Sequence, residues 1–231
     1  MTEFIIARHR VAIAGVVSDG LSGKPIAGAH LEITAKPAAY AKRLALLEAD
    51  RSPAAKGVHG YDTVRTRTNG LFFFMDLPEG EYKLIGFVPK DARSGSANAQ
   101  LPAAIRDAFQ GQADTRYGEM RFDAVVSYAP EGFGKLAVLR LQPTGITGRV
   151  VASATKSAVL MAEVRIKGSG ERTFTDAQGQ FTIPGLRPND KQPRIVQFRA
   201  RGYRDQSLEV LVDKPGVCKR IADLELAREG G

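Results

Sequence analysis

Histidine and tyrosine side chains are the residues of this chain that could hold a metal ion. The three histidines are His9, His30 and His59, and no two of them lie two or four positions apart. Metal ligands on one strand or one helical turn need such spacing, so the sequence contains no local pair of histidine ligands. His59 and Tyr61 would need further ligands from distant parts of the chain. We therefore predict no metal site.

Nucleophilic catalysis has equally little support. Cys218 is the single cysteine, and no histidine lies near it in the sequence, so we interpret it as a strand residue. No serine lies in a G-x-S-x-G turn. Residues 167–170, Lys-Gly-Ser-Gly, lack the order of a phosphate-binding loop and predict a hairpin turn. We predict no catalytic residue and no cofactor.

Two polar turn residues, Asn69 and Asp176, are candidates for calcium ligands. Calcium prefers about six to eight oxygen ligands, and neither turn carries a second carboxylate two residues away. Asn and Asp side chains commonly accept hydrogen bonds from the backbone amides of their own turn. We therefore predict that both residues cap turns.

The composition is that of an ordinary globular protein, and we expect the protein to lie in the cytoplasm. The chain has 231 residues, a net charge of +8, 43% hydrophobic residues and no apolar run of membrane-spanning length. The apolar stretch Phe4–Ala7 is too short for a signal peptide, and one cysteine permits no internal disulfide. The basic residues are not gathered in one run, so we predict no nucleic-acid partner.

A duplication organises the chain. The stretch 11–34 is repeated at 145–167, with Gly15 matching Gly148 at an offset of 133 positions. Further on, Asn69-Gly70-Leu71-Phe72 matches Gln178-Gly179-Gln180-Phe181 at an offset of 109 positions. The first copy therefore contains an insertion of 24 residues, between about residues 36 and 60.

Alternating apolar residues between Gly and Pro turns predict short strands in both copies. The predicted fold is all-β, with two tandem seven-stranded Greek-key β-sandwiches, the first carrying helical insertions. We predict a first domain at 1–142, with insertions near 36–60 and 91–118, and a second domain at 143–231. In the first insertion, Tyr40, Leu44 and Leu47 have helical spacing; a second helix is predicted at 102–109.

The repeated residues resemble the carboxypeptidase regulatory-like domain family, which consists of transthyretin-like (prealbumin-like) sandwiches. Its pattern is G-x-V, a turn, G-A-x-V-x-V, T-D-x-x-G-x-F and a later G-Y. The matching residues of the first copy are Gly15, Val17, Pro25, Gly28, Ala29, Leu31, Ile33, Asn69, Gly70 and Phe72. Those of the second copy are Gly148, Val150, Ala162, Val164, Ile166, Thr175, Asp176, Gly179, Phe181, Gly202 and Tyr203.

The resemblance implies a module without enzymatic activity. Such modules accompany peptidases, outer-membrane receptors, surface adhesins and accessory parts of phage-tail-like contractile particles. Related sandwiches include intradiol dioxygenases, which bind iron through two Tyr and two His, a set that the histidine spacing here disfavours. Transthyretin-like hydrolases end in Tyr-Arg-Gly-Ser, whereas this chain ends in Ala-Arg-Glu-Gly-Gly. Neither first strand carries the lysine that adhesin-type isopeptide cross-links need.

The candidate interface residues lie on two strands. If Phe72 and Phe74 point inward, then Leu71, Phe73 and Met75 point outward and need a cover. The inserted helix, the second domain or a partner subunit are the alternatives. On the second copy, Arg199 and Arg201 are predicted to share an outward face that could meet an acidic partner.

We therefore expect a non-enzymatic structural or adaptor subunit that contacts other protein subunits of a larger assembly, with a contractile injection particle as the specific candidate. A homo-oligomer remains open. The alternatives are a module that binds carbohydrate or peptide and, less favoured, a metal-dependent dioxygenase-like enzyme. The absence of Trp argues against a carbohydrate site that stacks on sugar rings.

Overall fold

The computed structural model describes residues 9–49, 61–90, 113–128 and 136–229. These residues form two compact units. The first comprises the described residues up to Asp114 together with Glu119–Leu141; the second comprises Thr115–Gly118 and the described residues from Gln142 onward. His59 and the predicted helix at 102–109 lie outside the described residues.

The first unit is a sandwich of two sheets. Its elements are β1 (Val11–Asp19), β2 (His30–Ala35), α1 (Ala38–Ala49), β3 (Thr63–Arg65), β4 (Leu71–Met75), β5 (Gly80–Phe87), β6 (Met120–Val126) and β7 (Ala137–Leu141). One sheet has the strand order β4-β1-β7 and the other β3-β2-β5-β6. The rings of Phe72 and Phe122, one from each sheet, meet with centroids 6.4 Å apart in the core between them.

The second unit repeats this arrangement. Its strands are β8 (Gly145–Ala152), β9 (Glu163–Ile166), β10 (Arg172–Phe174), β11 (Gln180–Pro184), β12 (Asn189–Arg199), β13 (Gln206–Val212), β14 (Cys218–Arg220) and β15 (Leu224–Leu226). The sheet orders are β11-β8-β14, with β15 also on β8, and β10-β9-β12-β13. Phe181 and Phe198, from opposite sheets, pack edge to face with centroids 5.7 Å apart.

The two sheet orders are the same when the elements are matched by the duplication. Gly15 pairs with Phe72 in the first copy, and Gly148 pairs with Phe181 in the second. In both copies the last strand runs parallel to the first: β7 beside β1, and β14 and β15 beside β8. The all-β fold and its tandem sandwiches are confirmed. The last predicted strand of the second copy is divided in two, which gives that copy eight short strands.

A buried threonine holds the same loop in each copy. The hydroxyl of Thr66 donates to the carbonyl of Ile26 (2.6 Å) and accepts from the amide of Ala29 (2.9 Å). The Thr175 hydroxyl makes the equivalent bonds to Val159 (2.6 Å) and Ala162 (2.8 Å). Both side chains are buried. These hydrogen bonds satisfy polar groups that would otherwise be desolvated without partners.

Helix α1 forms where the insertion was predicted to be helical. Pro37 precedes it, and proline is well tolerated at a helix start because its missing amide would have no partner there. Tyr40 and Leu44 lie one turn apart and are buried, whereas Leu46 is exposed. Their shared side therefore packs on the sandwich. Among the described residues, no helix has the length and apolar character that crossing a bilayer requires.

The structure corrects the prediction for the strand that carries the candidate arginines. Strand β12 was predicted at 195–201, but it begins at Asn189 and ends at Arg199. Its pairing with β13 has a register shift between Asn189 and Arg194. Arg201 lies in a turn closed by the bond from the Tyr203 amide to the Ala200 carbonyl (3.1 Å). Arg199 and Arg201 therefore do not share a strand face.

Candidate interaction surface

Side chains of β4 alternate between the core and the outer surface of the first unit. Phe72 and Phe74 are almost completely buried, as predicted. Leu71 and Phe73 are half-buried, and Met75 is 55% exposed. Three apolar side chains in succession thus point away from the core on one short strand.

The sheet register extends this apolar strip across β1 and β7. Leu71 pairs with Val16, and Phe73 pairs with Ala14 on β1. Val16 in turn pairs with Val138 on β7, which is 62% exposed. Leu136, which is 56% exposed, directly precedes β7 and lies two residues before Val138. In extended chain, side chains two residues apart point to the same side. We refer to Ala14, Val16, Leu71, Phe73, Met75, Leu136 and Val138 as the apolar face.

The equivalent face of the second unit is polar. At the positions that match Ala14, Val16, Leu71 and Phe73, it carries Thr147, Arg149, Gln180 and Thr182. The hydroxyls of Thr147 and Thr182 lie 3.1 Å apart, and Arg149 reaches Asp223 at 3.7 Å. Since the two units share one fold, the fold itself does not require the apolar face of the first unit.

Helix α1 packs on core side chains of the first unit. The ring of Tyr40 meets that of Tyr82, which points into the core from β5, with centroids 6.0 Å apart. Arg43 donates to the carbonyl of Asp76 at 3.3 Å, beside the end of β4. Met75 remains more than half exposed. The helix is one predicted cover of Leu71, Phe73 and Met75, and it contacts Tyr82 and Asp76.

The two candidate arginines of the second unit are both exposed. Arg199 forms an ion pair with Asp205, its Nε lying 2.7 Å from the carboxylate. Arg201 lies in the turn that follows β12. An ion pair between exposed groups contributes little to stability, so the pairing of Arg199 leaves it available to solvent and to partners.

A second exposed apolar group escaped the sequence analysis. Leu160, Met161 and Phe174 are all exposed in the second unit, and the Met161 amide donates to the carbonyl of Thr175 (3.0 Å). Met161 has a φ of 59°, whereas its counterpart in the first copy is Gly28, with a φ of 72°. Left-handed backbone favours glycine, so the mismatch at this aligned position is the signal that would have identified the group.

Tyrosine hydroxyls of the first unit are engaged by backbone carbonyls. Tyr40 donates to Tyr61 (3.0 Å), Tyr82 to Pro78 (2.8 Å) and Tyr128 to Leu77 (2.5 Å). Burial raises the pKa of Tyr82 to about 12 and also raises the pKa values of Tyr40 and Tyr128. An iron-binding tyrosine must lose its proton, so these three environments disfavour the role.

The other candidate chemical groups have structural partners. His9 Nδ1 lies 2.5 Å from Asp76, and Asp176 accepts bonds from the amides of Gln178 (2.9 Å) and Gln180 (2.8 Å). Cys218 begins β14 half-buried, and burial raises the pKa of its thiol, which disfavours the nucleophilic thiolate. Within the ranges that the structure describes, no three His, Cys, Asp or Glu side chains are grouped to hold a metal ion.

A family model matches most of the second unit. Residues 145–226 match the family model of the carboxypeptidase regulatory-like domain. No curated protein sequence matches the chain. The fold of the chain is similar to that of the shaft pilin SpaA from Lactobacillus rhamnosus GG, with 11% identity over 96% of this chain and 98% of that chain and a TM-score of 0.36.

Two further solved structures resemble the chain at a similar distance. The Bacillus anthracis TIE protein gives a TM-score of 0.30 at 13% identity, covering 94% of this chain and 34% of that chain. A streptococcal ancillary pilin gives 0.30 at 13% identity, covering 96% and 63% of the two chains. The resemblance to the carboxypeptidase regulatory-like domain family is thus confirmed by a family-model match over residues 145–226.

Proposed function

We propose that this protein is a non-enzymatic structural or adaptor subunit whose first unit contacts another protein through the apolar face. The observation that carries the proposal is the contrast between the two copies. One fold is built twice, and the outward positions that carry Ala14, Val16, Leu71 and Phe73 in the first copy carry polar side chains in the second. Packing inside the sandwich does not require them there, and contact with a partner is a physical reason for their presence.

The exposure of these side chains makes such contact favourable. Met75, Leu136 and Val138 each retain more than half of their accessible surface. Removing the remaining apolar surface of one such side chain from water stabilises a complex by about 1 kcal/mol. Contiguous exposed apolar surface typically marks a protein-interaction site.

The assembly is the finer part of the proposal. The family that the sequence resembles also occurs in accessory parts of phage-tail-like contractile particles, which suggests a contractile injection particle in the cytoplasm. Quantitative affinity purification from the source organism tests this idea directly. Enrichment of sheath, tube or baseplate chains would support it, and enrichment of unrelated chains alone would contradict it.

Substitutions on the apolar face test the interface itself. We expect Phe73→Asp and Met75→Asp to remove the chains that co-purify with the wild type, because each places a charge within an apolar contact. The matched control is Thr182→Asp, at the position of the second copy that corresponds to Phe73, and it should retain those chains. Circular dichroism would verify that each variant is folded.

The alternative functions have their own readouts. Retention of every partner by Phe73→Asp and Met75→Asp would contradict the proposed interface. Binding to a glycan array above background would favour the carbohydrate-binding alternative. Stoichiometric iron in the purified protein would revive the dioxygenase-like alternative.

A further inference from the structure

We infer that the apolar face receives a short amphipathic segment of a partner protein, in which acidic side chains flank an apolar stripe. The inference rests on the proposed function and adds the chemistry and the size of the partner. Two arginines at the face give the charge, and the dimensions of the sheet give the size.

Arg67 and Arg140 lie at the apolar face. The Arg67 guanidinium lies over the ring of Phe73, 5.7 Å from its centroid. Arg140 follows Val138 by two residues on β7, so it points to the same side of the sheet. Both arginines are exposed. Stacking on a ring leaves the N–H groups at the edge of a guanidinium free to bind a carboxylate in bidentate fashion.

The described carboxylates at the ends of β4 and β1 have other hydrogen-bond partners. Asp76, at the end of β4, accepts from His9 (2.5 Å) and from the amide of Arg10 (2.9 Å). Asp19, at the end of β1, accepts from the amides of Leu21 (2.9 Å) and Ser22 (2.7 Å). Among the described residues, no carboxylate forms an ion pair with Arg67 or Arg140. Their charge is therefore available to a partner.

In the second copy, the charged side chain that corresponds to Arg140 has an ion-pair partner within its own unit. The counterpart of Arg140 is Glu225, because Ser18 pairs with Arg140 and the matching Val151 pairs with Glu225. Glu225 binds Lys156 of its own unit at 2.5 Å. The polar face of the second unit thus contains both signs of charge, whereas the apolar face is bordered by arginines without acidic partners among the described residues.

The apolar face is large enough for a short peptide segment and is smaller than a stable interface with a second copy of this chain. Three strands spaced about 4.8 Å apart, with five residues of about 3.3 Å each, give a face of roughly 14 by 17 Å, or about 240 Å². A stable interface between two folded proteins buries about 800 Å² per partner. One helix about 10 Å wide, or an extended strand, covers a face of this size.

The experiment uses a phage-displayed library of random 12-residue peptides, selected on the full chain and depleted on Met75→Asp. We expect the enriched peptides to combine apolar and acidic residues. A synthetic copy of the strongest peptide should bind about fivefold more weakly to Arg67→Gln and to Arg140→Gln, and more weakly still when salt is raised. Thr182→Asp and Arg149→Gln, on the polar face of the second unit, should leave its affinity unchanged.

Other results would overturn the inference. Enrichment of basic or uncharged peptides, no enrichment at all, or unchanged affinity for both arginine variants would each contradict it. A dimer in sedimentation that Met75→Asp dissociates would assign the face to a second copy. A tenfold gain in peptide affinity on deleting residues 2–8 would assign it to the chain's own first residues. The proposed function fails separately, when Phe73→Asp and Met75→Asp retain every partner in the purification.

Discussion

Thr66 and Thr175 perform the same structural task 109 positions apart. Each hydroxyl connects the turn after β3 or β10 to the loop that leads into β2 or β9. Both ends of the connection are backbone groups, so the two residues fix loop conformation and contribute no chemistry. The family pattern identified Thr175, and the 109-residue offset would have identified Thr66 as its counterpart.

We predict that Thr175→Val destabilises the second unit by about 1–3 kcal/mol, because the carbonyl of Val159 and the amide of Ala162 lose their buried partner. Urea unfolding followed by circular dichroism would measure the change. Thr175→Ser retains the hydroxyl and should restore most of the loss. The exposed Thr155→Val is the control for the substitution itself, and an equal loss there would contradict the explanation.

At the scale of elements, one glycine on the first strand of each copy determines how closely the two neighbouring strands can approach it. A methyl group on Gly15 would lie 2.6 Å from the Ala137 carbonyl oxygen and 2.6 Å from the Phe72 ring. These are the strands on either side of β1, so the glycine lets three strands and an aromatic ring approach closely. Gly148 has the same role opposite Phe181.

We predict that Gly15→Ala destabilises the first unit by about 1–3 kcal/mol, since a backbone oxygen cannot move aside as a side chain can. Gly86→Ala is the matched control within the same unit. The atom nearest to its new methyl would be the flexible end of Met120, at 3.3 Å, and the His30 carbonyl oxygen would lie at an ordinary contact distance of 3.9 Å. Thermal unfolding of both variants should show the larger loss for Gly15→Ala, and the reverse order would refute this account.

Alternation and turn residues were enough to predict most strands, the inserted helix and the inward rings of Phe72 and Phe74. Leu71, Phe73 and Met75 were predicted to point outward for the same local reason. Their neighbours Val16 and Val138 were not predicted, because a pairing across more than 50 residues leaves no local pattern in the sequence. The turn at Arg201 was not predicted, because the alternation of polar and apolar residues does not show at which residue the pairing between strands ends.

For the whole molecule, the structure groups Thr115–Gly118 with the second unit, although the sequence predicted a boundary between 142 and 143. Thr144 explains this grouping. Its hydroxyl donates to the Thr115 carbonyl (2.8 Å) and accepts from the Gly216 amide (2.7 Å), while its own amide donates to Arg116 (2.7 Å). The side chain of Thr144 is completely buried.

We predict that the fragment 142–231 is less stable than the second unit of the full chain by about 1–3 kcal/mol, because Thr144 loses two buried partners. Hydrogen exchange of core amides in β8 and β12 would measure both stabilities. Thr144→Val should cost more in the full chain than in the fragment. Equal costs in the two contexts would show that Thr115–Gly118 does not support this unit.

The parallel pairing of first and last strands determines how each copy responds to mechanical tension. Stretching the chain across β1 and β7 drags these neighbours in opposite directions along their length, so their ladder of hydrogen bonds is sheared together instead of unzipping singly. The same holds for β8 with β14 and β15. Both copies thus have the strand geometry of a tether that resists extension.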